Sequence, residues 1–134
     1  MLKAKDVMTT DVVTIKSQTS VYQAVQELMD NNITGLPVVD DDMNVVGVIS
    51  EKDMLKLIYD LEEDGGTVAD HITETAVSFG PEDNLGDICN CFIKNPFRRV
   101  PILSDGKLAG IISRTDVIEY ILKVKQYEEA QILQ

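Results

Sequence analysis

The chain repeats itself. Asp6, Thr9, Val13, Asn31 and Pro37 recur 64 positions later as Asp70, Thr73, Val77, Asn95 and Pro101, and beyond Asp40 the offset falls to 63, so that Gly47, Ile49, Ser50 and Asp53 recur as Gly110, Ile112, Ser113 and Asp116. The lost residue lies between Asp40-Asp41-Asp42-Met43-Asn44 and Ser104-Asp105-Gly106-Lys107, polar stretches of the kind in which turns absorb changes of length. A duplication of this kind requires one structural plan to be built twice. It divides the chain into a first repeat at 1–62, an acidic, glycine-containing linker at 63–67 and a second repeat at 68–134.

Hydrophobic periodicity gives the plan. Val12-Val13-Thr14-Ile15 is short and rich in β-branched residues, and Ser20 then precedes Val21, Ala24, Val25, Leu28 and Met29 at steps of three and four, the pattern of a capped amphipathic helix from about Ser20 to Asp30. Leu36 to Val39 and Val45 to Ile49 flank the Asp-rich turn as two paired strands, with Pro37 near the opening of the first. A second helix starts at Ser50 and carries Met54, Leu55, Leu57, Ile58 and Leu61. The second repeat follows the same order: a strand at 76–79, a helix from Asn84 to Lys94, strands near Val100 to Leu103 and Leu108 to Ile112, and a last helix from Arg114 that extends past Tyr120. The expectation is an α/β (α+β) fold of two β-α-β-β-α repeats. Neither half, at about 60 residues, buries its sheet well alone, so the two are expected to pack as a pseudo-twofold pair.

Composition limits the partners. With 23 acidic against 12 basic residues the formal charge is −11, which disfavours duplex nucleic acid and anionic membranes, because affinity for phosphate backbones comes from clustered cations. No apolar run reaches the roughly 20 residues of a membrane span, and the amino terminus lacks a signal-like stretch, so the chain reads as cytoplasmic. His71 is the only histidine, which excludes zinc sites built on two histidines of one chain. Cys89 and Cys91 stand two apart, about 200° around a helix, and read as reduced packing residues, with metal or redox work the alternative.

Several ordered fragments carry a resemblance. Asp-Val-Met-Thr at 6–9, Leu36-Pro37-Val38-Val39-Asp40, and Val46-Gly47-Val48-Ile49-Ser50-Glu51-Lys52-Asp53, matched by Val100-Pro101-Ile102-Leu103 and Ala109-Gly110-Ile111-Ile112-Ser113-Arg114-Thr115-Asp116, resemble a tandem pair of cystathionine β-synthase (CBS) domains over nearly the whole chain. The resemblance implies a free-standing regulatory or sensing module that binds an adenosine-containing ligand in the cleft between the repeats. AMP, ADP or ATP leads, with S-adenosylmethionine or NAD as further members of the class and no cofactor required. It also implies association of two pairs through their helices as a homodimer, and action on a protein target in trans.

Ser50-x-x-Asp53 and Ser113-x-x-Asp116 stand where a strand turns into a helix, whose unpaired N–H groups carry partial positive charge. There the serine hydroxyl and backbone can meet a phosphate while the aspartate accepts from ribose hydroxyls, the role that the resemblance implies for it. The same residues are also ordinary capping residues. Arg98 and Arg99 replace Thr34 and Gly35 of the first repeat and are candidates for bidentate phosphate contact, with a solvated basic pair as the alternative. Lys52 and Arg114, inside the two Ser-x-x-Asp segments, are further cation candidates, and Thr115 lies beside Arg114. For the adenine, the resemblance implies Thr14 and Pro37 with their neighbours in the first repeat, and Val77, Ser78 and Pro101 with theirs in the second. Strand residues of these types are also ordinary core. The second repeat, richer in cations, is the favoured site for a charged nucleotide.

Two other classes compete. An enzyme needs a nucleophile with a base, or a metal cluster, and the spacing offers neither. Asp40-Asp41-Asp42 lacks the alternating ligands of a calcium loop and reads as a solvated turn. A ligand-free dimerisation or docking module would instead use the last helix, whose continuation through Lys125 to Gln134 exceeds what its own repeat needs.

Overall fold

The computed structural model describes residues 2–33, 35–59, 66–70, 72 and 77–132. In chain order the elements are α1 (Ala4–Val7), β1 (Ile15–Lys16), α2 (Val21–Asn31), β2 (Gly35–Val39), β3 (Val45–Ser50), α3 (Glu51–Tyr59), a single 3-10 turn at Val68–Asp70, α4 (Leu85–Lys94), β4 (Arg99–Ser104), β5 (Lys107–Ser113) and α5 (Arg114–Ile132). This is the α+β order expected from the periodicity. Thr34, most of the expected linker, Leu61 and Ala76 lie outside the described residues, as do the side chains of Met54, Leu57 and Ile58.

The chain forms two compact units, and they are not the two sequence repeats. One is Val13–Ala76, and the other joins Met1–Val12 to Val77–Gln134. Each repeat is preceded by a short leader that packs in the other repeat's unit. Ala4 and Lys5 donate their N–H groups to the carbonyls of Asp83 and Pro81, and Leu85 donates to Leu2. In the other unit Val68 and Ala69 donate to Thr19 and Ser17, and Val21 to Gly66. Every one of these bonds has its counterpart at the repeat offset of 64 residues. Within the repeats at 1–62 and 68–134 the leaders cross over, since Ala4 and Val68, both fully buried, each complete the apolar core of the opposite unit.

In Val13–Ala76, β2 pairs antiparallel with β3 and parallel with β1. The first strand is shorter and later than the expected Val12–Ile15, since only Ile15 and Lys16 pair, with Val38 and Val39. Ile15, Val21, Ala24, Leu28, Leu36, Val38, Ile49 and Val68 form its core. Helix α2 begins where the spacing places it, the Ser20 hydroxyl accepting from the Gln23 N–H at 3.2 Å. It ends at Asn32, whose φ of 52° is a left-handed termination that asparagine tolerates.

In the other unit β4 and β5 form the antiparallel pair. Of the strand expected at 76–79, the described residues show one parallel bridge, Phe79 to Ile102, and the leader adds an antiparallel bridge from Thr9 to Ile111. Ala4, Leu85, Ile88, Phe92, Val100, Ile102, Ile112 and Val117 form the core, with Cys89 packed against it. Both hairpins bulge at repeat-equivalent places, Val38/Val39 and Ile102/Leu103. Their tips differ. Asp105 and Gly106, with φ of 53° and 80°, close β4 to β5 as a tight two-residue turn. The first hairpin is one residue longer and is organised by the Asp40 carboxylate, which accepts from the N–H groups of Asp42 and Asn44 at 2.9 Å each.

Candidate functional site

Strand register brings the proposed anion-binding residues of the second repeat together. Arg99 opens β4 directly across from Ser113, the last residue of β5, and facing positions on antiparallel strands hold their Cβ atoms about 5 Å apart. Arg98 is fixed beside them by its carbonyl, which accepts the Arg114 N–H at 2.9 Å. Ser113 is also the residue from which α5 starts, so Arg99 stands at the positive end of a 19-residue helix. Thr115 lies in the first turn of that helix and is exposed. The first repeat has the same frame with different chemistry. Gly35 opens β2 across from Ser50, and the cation of that segment is the exposed Lys52.

Both Ser-x-x-Asp segments are closed capping pairs. The Ser113 N–H donates to Asp116 Oδ2 at 2.9 Å and the Asp116 N–H donates back to Ser113 Oγ at 3.0 Å. In the first repeat Ser50 and Asp53 exchange the same bonds at 3.1 and 3.3 Å, and the Ser50 hydroxyl also donates to Asp53 Oδ2 at 2.8 Å. The capping role is therefore realised, and it leaves Asp53 and Asp116 half-buried. Each carboxylate uses only Oδ2, so that among the described residues Oδ1 takes no hydrogen bond and is an acceptor open to a hydroxyl.

The Arg114 guanidinium is engaged within the fold. Its Nη2 donates to the carbonyls of Asn95 at 2.6 Å and Phe92 at 3.2 Å, capping the C-terminus of α4 where carbonyls lack partners and the helix dipole is negative. The residues proposed for the adenine divide by burial. Pro37 and Pro101 are buried at strand centres, Thr14 and Val77 are half-buried, and Ser78 is exposed. Pro101 is further committed through its carbonyl, which accepts the Phe79 N–H at 3.2 Å.

Beside Asp116 the structure places residues that were not among the candidates. A hollow of about 230 Å³ beside Asp116 is lined by Asp6 and Val7 of α1 and by Asp116, Glu119, Tyr120 and Lys123 of α5. The signal was present in the duplication, since Asp6 recurs as Asp70, but nothing in spacing says that a leader joins the opposite unit. The leader is held from outside the hollow by an exposed ionic clamp in which both Lys3 and Lys5 reach the carboxylate of Glu82. Hydrogen bonds from Lys3 and then Lys5 pull the Glu82 carboxyl down to about 2. At the Asp-rich turn, the Asn44 side chain holds the Asp40 carboxyl below its ordinary range.

A family model for the CBS domain matches residues 4–60 and again 68–123. The chain belongs to the CBS domain family. As a CBS pair it is 33% identical to the Arabidopsis thaliana CBS-pair protein CBSX2, whose structure covers 92% of this chain and 96% of its own, with a TM-score of 0.82. A CBSX2 structure in complex with AMP gives a TM-score of 0.85 at 33% identity, covering 93% of this chain and 99% of that one. Among curated relatives, an uncharacterised Methanocaldococcus jannaschii protein, MJ1225, is 29% identical over 87% of this CBS chain, which spans 42% of that protein's length. Chloroplastic CBSX1 of Arabidopsis is 30% identical, with 87% of this chain and 61% of that protein covered. Among the described residues no helix is long and apolar enough to cross a membrane, and no cluster of histidine, cysteine, aspartate or glutamate has the arrangement of a metal site.

Proposed function

We propose that this CBS pair is a regulatory module that binds an adenine nucleotide, AMP, ADP or ATP, at the second repeat and signals to a protein partner in trans. The observation that carries the reading is the cross-strand placement of Arg99 against Ser113 at the start of α5. An arginine beside a helix N-terminus suits a phosphate, and the open Oδ1 of Asp116 suits the ribose hydroxyls. The AMP complex of CBSX2, similar over nearly its whole length, supports adenosine as the ligand class. Arg98 and Thr115 flank the phosphate end, and Val77, Ser78 and Pro101 serve the base. The first repeat, with Ser50, Lys52, Asp53, Thr14 and Pro37, is a weaker site because Gly35 stands where Arg99 does.

The exposed apolar residues favour a homodimer as the working form. Met29 and Ile93, Leu55 and Ile118, and Tyr59 and Leu122 are all exposed and are repeat-equivalent pairs. A surface kept apolar at the same places in both copies of a duplication suits a partner that meets both repeats alike, as a second copy does.

Calorimetry of the full chain against AMP, ADP, ATP, S-adenosylmethionine and NAD tests the nucleotide reading. Saturable heat from an adenine nucleotide is expected, with affinity reduced ten-fold or more in Arg99→Gln, about the worth of one charge-assisted bond, and largely lost in Asp116→Ala. Binding unchanged in both variants would overturn the site, and no heat with any adenosine compound at millimolar concentration would overturn the function.

A further inference from the structure

Asp116 belongs to the second repeat, but the hollow it borders is completed by Asp6 and Val7, which precede the first repeat's own unit. The leader is firmly built into that wall. Besides the bonds to Asp83, Pro81 and Leu85, Thr9 and Ile111 exchange N–H to carbonyl bonds at 2.9 and 3.0 Å. Gly110 lets it lie this close, for a Cβ there would stand 2.8 Å from both Met8 Sδ and the Thr9 carbonyl oxygen. From Thr9 the chain runs through the exposed Thr10 and Asp11 to Val13, where the other unit begins.

We infer that the leader, residues 2–9, is a working part of the second repeat's ligand site, and that ligand binding at Asp116 and seating of the leader are thermodynamically coupled. The inference extends the nucleotide reading and rests on it. Three carboxylates, Asp6, Asp116 and Glu119, and one ammonium, Lys123, border the hollow; its net charge is negative and its carboxylates accept from hydroxyls, so the sugar belongs here and the phosphate with Arg98 and Arg99. A sugar held by Asp116 lies against Asp6 and Val7 only while the leader is seated. The ligand then binds one state of the leader in preference to the other, and coupling of this kind is reciprocal. Because the leader is covalently continuous with Val13, its seating is the property through which the second repeat's ligand state reaches the first repeat.

Amide hydrogen exchange of the full chain with AMP as the probe, run beside calorimetry, tests this. With AMP at a hundred times its dissociation constant, exchange at Ala4, Lys5, Thr9 and Ile111 is expected to slow by up to about a hundred-fold, while the turn amides of Asp42 and Asn44 keep their rates. Glu82→Gln removes the exposed clamp without touching the hollow. It is expected to speed exchange at Ala4 and Lys5 in the free protein, with AMP restoring protection. Gly110→Ala, which displaces Met8 and Thr9, is expected to weaken AMP binding ten-fold or more, and should that variant not fold, the Glu82→Gln exchange data decide. AMP binding with leader exchange unchanged would overturn the coupling and leave the nucleotide reading intact. Should AMP give no heat, ADP or ATP replaces it as the probe, and absence of heat with all three would overturn both.

Discussion

The backbone N–H of Ala4 donates to the carbonyl of Asp83 across 79 residues of sequence, at 2.8 Å. Its repeat-equivalent bond, Val68 to Thr19, has the same length. Together they describe a fold in which each repeat lends its leader to the other unit, so neither repeat is complete as a linear segment. Each bond lies within one unit, and the leader it holds adds a buried residue to a core small enough to be near the lower limit for independent stability.

The buried leader side chains should then matter as much as residues within the repeats. Val68 is fully buried among Ile15, Val21, Leu28 and Ile49. Val68→Ala is expected to destabilise the protein by about 2 kcal/mol through lost transfer free energy and an unfilled cavity, read as a lower urea midpoint with unchanged slope. A change under about 0.5 kcal/mol would mean that the leader contributes little to the core.

Much of this was legible in the sequence, and what was not has a physical cause. Ser20 and Asn84 cap their helices as their spacing indicates, and both hairpins follow the short apolar runs that flank a polar turn. The exchange of leaders was not legible, because periodicity reports which face of an element is apolar and is silent on which core receives it. Arg98, Arg99, Ser113 and Asp116 are named by the sequence as candidates, and two strands joined by a short turn set Arg99 across from Ser113. The contacts of Arg114 with the carbonyls of Phe92 and Asn95 were not legible, because no side-chain pattern announces a backbone partner.

Arg114 gives a prediction that separates stability from binding. Its guanidinium, half-buried, holds the end of α4 through two carbonyls, and hydrogen bonds from a charged donor are worth about 1.5–3 kcal/mol. Arg114→Ala is expected to cost about 2 kcal/mol in chemical denaturation while AMP affinity per folded molecule stays within about two-fold. A large loss of affinity in the folded variant would return Arg114 to the phosphate site.

The two capping pairs offer an internal comparison. Ser50→Ala and Ser113→Ala each remove one side-chain acceptor from a helix start and are expected to destabilise by about 1 kcal/mol. Only Ser113→Ala should also weaken AMP binding, because Arg99 faces Ser113 and Gly35 faces Ser50. Equal effects of the two on binding would show that both repeats hold the nucleotide.

The clamp at Glu82 predicts a pH dependence of defined sign. Its folded-state carboxyl lies at about 2, below the ordinary 4.5, so the unfolded chain binds a proton at a higher pH than the native one does. The clamp's contribution is therefore complete above about 4.5 and is lost as pH falls toward 2. Glu82→Gln lacks that contribution at every pH, so the urea midpoints of wild type and variant should differ at pH 7 and converge as pH falls through this window. Because Lys3, Lys5 and Glu82 are exposed, 1 M salt should shrink the difference at pH 7. A gap that persists unchanged at pH 2 would show that the variant acts through something other than the charge on Glu82.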